Sequence, residues 1–198
     1  MTEIHCSRRR AKLLVTAGAQ VNVLTQHNDL DRAGANRQET TLKPANVYVK
    51  HFGQLFKHVV DDQVSGQPLI TGVEINGGTH DVVYITTMNN SVYAFDANEG
   101  SSLAFWHVNF GALAGLSDGN FGCTDMTGDM GIVGTPVIDV ERKALHVMAL
   151  TKTYSGFIQR LHALYRYVVT AVSSNGESAP SEPINVVVSR GRTPAVMH

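Results

Sequence analysis

The chain of 198 residues is 43% hydrophobic and 17% charged, and its formal net charge is −1. That composition supplies enough apolar material for a folded core and excludes wholesale disorder, while the near-neutral charge argues against nucleic acid as the main partner. The sequence contains no run of about 18 apolar residues, which a helix would need to span a bilayer. The two cysteines, Cys6 and Cys123, are too few for a disulfide-dense scaffold.

The first 19 residues have the order of an export signal. Residues 7–10 are a basic Ser-Arg-Arg-Arg patch, residues 13–15 are apolar, and residues 17–19 form an Ala-Gly-Ala triplet that suits signal cleavage. The apolar stretch is shorter than the roughly 7–15 residues typical of such signals, so a disordered basic tail stays open as the alternative. We expect a secreted or periplasmic protein if this leader is functional, and a cytoplasmic one otherwise.

The middle of the chain has the periodicity of β-strands. Residues 82–87 (VVYITT) and 91–95 (SVYAF) are rich in β-branched and aromatic side chains, and an Asn-Asn pair between them favours a tight turn. Residues 96–100 predict the next turn, and residues 103–110 predict another strand. Short strands at about ten-residue spacing are typical of an all-β fold, so helix should be scarce.

An internal repeat organises these strands. The matches are residues 66–70 (GQPLI) with 134–138 (GTPVI) at an offset of 68, residues 92–95 with 161–164 at an offset of 69, and residues 55–59 with 105–109 at an offset of 50. The difference between the offsets indicates an insertion, which we assign to the Gly-rich loop 111–131. The sequence therefore predicts two four-stranded units, each about 50 residues long without the insertion.

These motifs resemble the blade motif of the pyrroloquinoline-quinone-type β-propeller repeats. The similarity extends from about residue 20 to residue 164, and residues 21–42 and 131–139 resemble segments of secreted bacterial propellers of this group. The resemblance implies an incomplete propeller of about two blades in a domain spanning 20–164. It implies a structural role for Tyr93, Asp96, Gly100, Trp106, Gly134 and Pro136.

The C-terminal part follows a different pattern. Residues 165–172 alternate as a strand, residues 173–181 form a turn, and residues 184–188 form a final strand. This order resembles the last two strands of a fibronectin type III domain, which implies a partial domain over 165–190 and a tail over 191–198. Three interpretations stay open: residues 165–172 supply the outer strand of the second blade, the segment is a flexible hairpin, or the join is an artefact of gene prediction or recombination.

Candidate chemistry is sparse. Asp118, Asp125 and Asp129 carry the hard oxygen ligands that calcium prefers, but the EF-hand spacing is absent and a solvated loop is the favoured interpretation. The histidines lack zinc-site spacing, and no nucleophile or nucleotide-binding motif is present. Residues 89–91 fit the N-glycosylation pattern and equally fit a tight turn. Trp106 could stack on a cofactor, although packing between blades is favoured.

The sequence therefore predicts a non-enzymatic, exported propeller-type module for binding or structure, with no cofactor and no catalytic residues. A protein or cell-surface partner is expected, and the open edges of an incomplete propeller invite self-association. The resemblance leaves one alternative, a remnant of an alcohol or sugar dehydrogenase that uses pyrroloquinoline quinone and calcium. The vicinal cysteine pair that such enzymes often carry is absent. A third alternative is a truncated chain without independent function.

Overall fold

The computed structural model describes residues 22–50, 52–75, 78–100, 103–115, 129–154, 156–167, 172–173, 176–177 and 184–191. Within these residues the protein is all-β, as predicted, and contains no helix. The strands are β1 (Leu69–Ile75), β2 (Gly78–Thr86), β3 (Ser91–Asp96), β4 (Trp106–Asn109), β5 (Ala114–Gly115), β6 (Asp129–Met130), β7 (Val137–Asp139), β8 (Ala144–Thr153), β9 (Gly156–Tyr167), β10 (Val172–Ser173), β11 (Gly176–Glu177) and β12 (Ile184–Gly191).

Several predicted features lie outside the described residues. These are the leader at 1–19, both cysteines, most of the loop 111–131 with Asp118 and Asp125, and nearly all of the tail at 191–198.

The strands of the described part form two larger antiparallel sheets, which do not close into a barrel, and two short pairs, β5 with β6 and β10 with β11.

The first sheet is an antiparallel meander in the order β1-β2-β3-β4. Its predicted strands are confirmed: residues 82–87 fall within β2 apart from the last residue, residues 91–95 form most of β3, and β4 occupies the centre of 103–110. The turn between β2 and β3 is closed by a 3.0 Å hydrogen bond from the Thr87 N–H to the Ser91 carbonyl. Asn90 adopts a φ of 56°, as an Asn-rich tight turn requires.

The second sheet repeats this arrangement. Strands β7, β8 and β9 form an antiparallel meander, and β12 lies beside β9, which gives the order β12-β9-β8-β7. The repeat matches fall on corresponding strands, because 69–70 and 137–138 begin β1 and β7, while 92–95 and 161–164 lie in β3 and β9. The third match differs: residues 105–109 contain β4, whereas 55–59 lie outside any strand.

The C-terminal segment joins the second sheet in a way that the sequence did not predict. Strand β9 continues without a break from Gly156 to Tyr167, across the predicted domain boundary between 164 and 165, because no turn residue interrupts its alternation. Strand β12 then pairs with β9 from Ile184 opposite Tyr167 to Gly191 opposite Arg160. The interpretation in which residues 165–172 form the outer strand differs from the structure, because residues 165–167 are the end of β9 and the outer strand beside β9 is β12. Residues 168–171 lie outside the described residues.

One face of the first sheet is buried against the second sheet. We call it the front face; it carries Leu69 and Val92, and both side chains are fully buried. They belong to one apolar cluster with residues of the second sheet, and Ile138 packs against the same cluster. The contributions of β8 and β9 are Leu145, Val147, Ala149 and Leu164. Burial of this cluster is the main apolar contact that holds the two sheets together.

The segment before the first sheet links the two sheets at their first strands. Val23 exchanges backbone hydrogen bonds with Ile70, of 2.8 and 3.1 Å, and the next carbonyl, Leu24, accepts a 2.8 Å bond from the Ile138 N–H. Ile70 and Ile138 occupy the same position of the repeat. One short segment therefore satisfies equivalent backbone groups of both repeats, which fixes how the sheets sit beside each other.

Candidate functional site

The residues of the predicted blade motif occupy three places in the fold. Tyr93 and Asp96 lie on β3, Gly100 and Trp106 lie after it, and Gly134 and Pro136 precede β7. Trp106 is half-buried and packs against both apolar clusters of the core, with its ring tilted against Tyr84 at a centroid distance of 5.9 Å. The described contacts of Trp106 thus serve the packing of the core.

Asp96 stabilises the turn that follows β3 through hydrogen bonds. Its Oδ1 accepts a 2.8 Å hydrogen bond from the Asn98 N–H, and its Oδ2 lies 2.9 Å from Nδ1 of His80. Burial by itself raises the pKa of Asp96, but the bonds from Asn98 and His80 outweigh it and hold the pKa below its ordinary value. A carboxylate can orient an imidazole for catalysis, yet here the same carboxylate closes a turn and joins it to β2.

The glycines of the repeat and of the blade motif differ in the space that is available for a side chain. A Cβ at Gly100 would lie 2.7 Å from the Cβ of Phe56, and one at Gly66 would lie 3.0 Å from the carbonyl oxygen of Gly134. A Cβ at Gly134 would meet nothing within 4 Å. A side chain at position 66 or 100 would therefore require a neighbour to shift, whereas one at position 134 would meet open space, although Gly66 and Gly134 are equivalent in the repeat.

Asp61 accepts hydrogen bonds from the polar side chains of the β2–β3 turn, and it is not among the site residues predicted from the sequence. Its carboxylate accepts hydrogen bonds from Thr87 Oγ1 at 2.7 Å, Asn89 Nδ2 at 2.6 Å and Ser91 Oγ at 2.5 Å. Burial by itself raises the pKa of Asp61, but these bonds, with one from Tyr93, outweigh it and lower the pKa. Because Asp61 lies in an irregular segment, periodicity gives no sign of it.

Ring contacts cover the opposite face of the first sheet, which we call the back face. His58 stacks on Phe95 at 4.3 Å and meets Phe56 edge-on at 5.4 Å. On the same face Tyr93 stacks on Phe95 at 5.6 Å and on His107 at 4.2 Å. The segment 52–60, which supplies Phe56 and His58, therefore lies on the back face and buries Phe95 almost completely.

The Asn-Asn-Ser sequence at 89–91 serves the hairpin. Ser91 and Asn90 are fully buried, and Asn90 Nδ2 donates a 2.8 Å hydrogen bond to the Leu150 carbonyl of the second sheet. The Asn89 side chain is engaged by Asp61, and its carbonyl accepts a 2.6 Å bond from Asn109. The tight-turn interpretation of this sequence is confirmed, and the turn also links the two sheets.

The described residues bring no metal-ligand set together. Among them, no group of three or more His, Cys, Asp or Glu side chains is placed to hold an ion. Of the three weak calcium candidates, Asp129 lies in β6, paired with Gly115, while Asp118 and Asp125 lie outside the described part. In the same part of the chain, no helix is long and apolar enough to cross a membrane.

The front face of the second sheet differs in exposure from that of the first. Val137 and Leu161 occupy the positions of Leu69 and Val92, and Met148 pairs with Leu161 as Thr86 pairs with Val92. The residues of the first sheet are buried, whereas Val137, Met148 and Leu161 are 44%, 47% and 46% exposed. Three apolar side chains thus remain in solvent at positions that a neighbouring sheet covers in the first repeat. We regard this face as the candidate interaction surface.

Comparisons of the chain with protein-family models, with curated proteins and with solved structures find no match.

Proposed function

We propose that this protein is a non-catalytic binding or structural module built from two adjacent propeller-type blades. The observation that carries the proposal is the stacking of the repeats in a single direction. The front face of the first sheet packs on the opposite face of the second, so Val92 is buried while its equivalent Leu161 is exposed. Successive blades of a propeller also pack front to back, and such stacking leaves one front face open for a partner.

The C-terminal strands belong to the same module in this proposal. The fibronectin-like pattern at 165–190 supplies the end of β9 and most of β12, and β12 pairs with β9 along its whole length. The pairing gives the second sheet a fourth strand, as in the first. We therefore assign the C-terminal strands to the second blade rather than to a separate sandwich, which needs about seven strands.

Export is the second part of the proposal, and it rests on the signal-like order of residues 1–19. The expected mature chain begins at Gln20, because the Ala-Gly-Ala triplet at 17–19 suits signal cleavage. Expression of the full chain in a bacterial host, followed by intact mass and N-terminal sequencing of the periplasmic fraction, tests this. A protein that is recovered uncleaved from the cytoplasm contradicts export.

The alternative function, a quinone- and calcium-dependent dehydrogenase, gains no support from the residues that the structure describes. Three of their carboxylates serve turns: Asp61 and Asp96 stabilise hairpin connections, and Asp139 accepts hydrogen bonds from Arg142. No calcium ligand set is assembled among these described residues. Calorimetric titration with pyrroloquinoline quinone and calcium tests it directly, and saturable binding together with reduction of a dye by an alcohol or sugar would overturn our proposal.

The interaction surface itself is tested with a fluorescent hydrophobic probe on the folded protein. We expect bis-ANS to bind the wild type, and Met148→Lys and Leu161→Lys to weaken that binding several-fold, because both place a charge on the exposed apolar face. Tyr154→Lys is the matched control, since Tyr154 is fully exposed at the β8–β9 turn and lies outside this face. Unchanged probe binding by both face variants would overturn the assignment of this surface.

A further inference from the structure

We infer that the contact between the two sheets is sensitive to mild acid and that His162, on β9, is the residue that makes it so. With a neutral imidazole the sheets pack as described. A proton on that imidazole places a positive charge between the sheets and loosens their contact. No partner is needed for this behaviour, because both sheets belong to one chain and the contact is already formed.

His162 lies inside the contact between the two sheets. The residue is 5% exposed, and its ring stacks on that of Phe110 with the ring centroids 3.9 Å apart. Phe110 directly follows β4 of the first sheet, and its N–H donates a 3.0 Å hydrogen bond to the Asn90 carbonyl. Its ring packs against the apolar cluster that joins the sheets. The imidazole of the second sheet is therefore covered by a ring of the first.

The strands beside His162 place uncharged residues opposite it. The strand register sets Val147 of β8 and Ser189 of β12 against His162. The residues two positions away on these strands are uncharged as well, and they are Leu145, Ala149, Val187 and Gly191. Among the described residues, the charge that acts on His162 is that of Arg160, two positions earlier on β9. A proton on His162 therefore meets apolar neighbours and a like charge.

Burial and the charge of Arg160 both disfavour the protonated imidazole. Burial has the larger effect and the guanidinium the smaller, and together they hold the pKa of His162 below its ordinary value of 6.5. Attraction between an imidazolium and the face of Phe110 offsets only part of this cost. The unfolded chain therefore takes up a proton at a higher pH than the folded one. Stability is lost as the pH falls through the ordinary histidine pKa toward the lower folded value.

Urea unfolding between about pH 5 and 7.5 tests the inference, because histidines titrate in this range and most carboxylates titrate below it. The unfolding constant of the wild type should rise several-fold on acidification. His162→Phe keeps a ring to stack on Phe110 and carries no titrating group, so most of this rise should disappear. An equal rise in the wild type and in His162→Phe would overturn the inference.

His146→Gln is the matched control for this substitution. His146 is half-buried on β8 and precedes Val147, so it lies on the other side of the same sheet. The control should keep the acid response of the wild type. A response that disappears in His146→Gln and persists in His162→Phe would assign the acid sensitivity to the wrong side of the sheet and contradict the role of His162.

The ring signals of His162 in NMR spectra give a measurement that needs no variant, should His162→Phe fail to fold. Their titration midpoint in the folded wild type should lie below that of a histidine in a short unstructured peptide, because burial disfavours the charged ring. A midpoint at or above the peptide value would overturn the inference.

Hydrogen exchange shows whether the acid response belongs to the contact between the sheets. The Gln67 amide is bonded to Oγ1 of Thr135 in the other repeat, whereas the Ala97 amide is bonded to the Asp81 carbonyl within the first sheet. After correction for the intrinsic effect of pH, the Gln67 amide should lose protection in mild acid and the Ala97 amide should not. This difference should be absent in His162→Phe. Equal loss at both amides of the wild type would show unfolding of the whole chain and overturn the inference.

Discussion

The backbone N–H of Gln67 donates a 2.9 Å hydrogen bond to Oγ1 of Thr135, and the two residues are 68 positions apart, which is the offset of the repeat. Gly66 and Gly134, one residue earlier in each copy, are also in close approach. Equivalent segments of two repeats therefore touch each other where the first strands begin.

The first prediction concerns the approach of these segments. Gly66→Ala should lower the free energy of unfolding by about 1–3 kcal/mol, because its Cβ would press on the Gly134 carbonyl and on Thr135. Gly53→Ala is the matched control, since its Cβ would meet nothing within 4 Å. Urea denaturation measures both variants, and an equal effect of the two substitutions would contradict the close contact of the repeats.

The second prediction separates two glycines of one short segment. A Cβ at Gly131 would collide with the Met88 carbonyl and with the backbone and side chain of Asn90, all in the β2–β3 turn. Gly131→Ala should therefore be among the most destabilising single changes, at more than about 3 kcal/mol, and Gly134→Ala should change stability by less than about 1 kcal/mol. Thermal melting of the two variants decides; the reverse order would show that the turn does not approach residue 131.

The third prediction concerns Asp61. Asp61→Ala should lower the free energy of unfolding by about 1–3 kcal/mol at neutral pH, because the fully buried hydroxyl donors of Thr87 and Ser91 lose their acceptor. Asp31→Ala, at an exposed position, is the control. Comparable losses in both variants would argue against the network around Asp61.

The same network sets a pH dependence. Because the pKa of Asp61 is lowered by folding, the unfolded chain takes up a proton at a higher pH than the folded one does. The contribution of Asp61 to stability is present above the ordinary aspartate pKa and is lost as the pH falls through the lower folded value. Asp61→Asn should therefore flatten the acid limb of the stability curve, and an unchanged slope would contradict the pKa direction.

The strands that could be predicted from the sequence are those with clear alternation of apolar and polar residues. Residues 82–87 and 91–95 alternate clearly, and they form strands close to the expected bounds. The repeat offsets of 68 and 69 predict corresponding strands of the two sheets, and the matched residues lie in such strands. Residues 55–59 match residues 105–109 in sequence but do not form a strand. A similar pattern of apolar residues does not determine the hydrogen-bond partners of a segment. Residues 55–59 instead pack on the first sheet through Phe56 and His58.

Neither the position of β12 nor the role of Asp61 could be predicted from the sequence. Pairing of β12 with β9 is a long-range choice between strands of similar composition, and no local pattern decides it. Asp61 becomes important only because the irregular segment before β1 passes the β2–β3 turn. The exposure of Leu161 could not be predicted either, since its equivalent Val92 has the same apolar character and is buried.

The proximity of Gln67 and Thr135 tests the stacking of the two repeats. In isotope-labelled protein, the Gln67 amide proton should show a nuclear Overhauser contact to the side-chain protons of Thr135, because the two groups share a 2.9 Å hydrogen bond. We expect this contact in the wild type and in Leu161→Arg. Assigned and resolved signals of both residues without such a contact would contradict the stacking of the repeats.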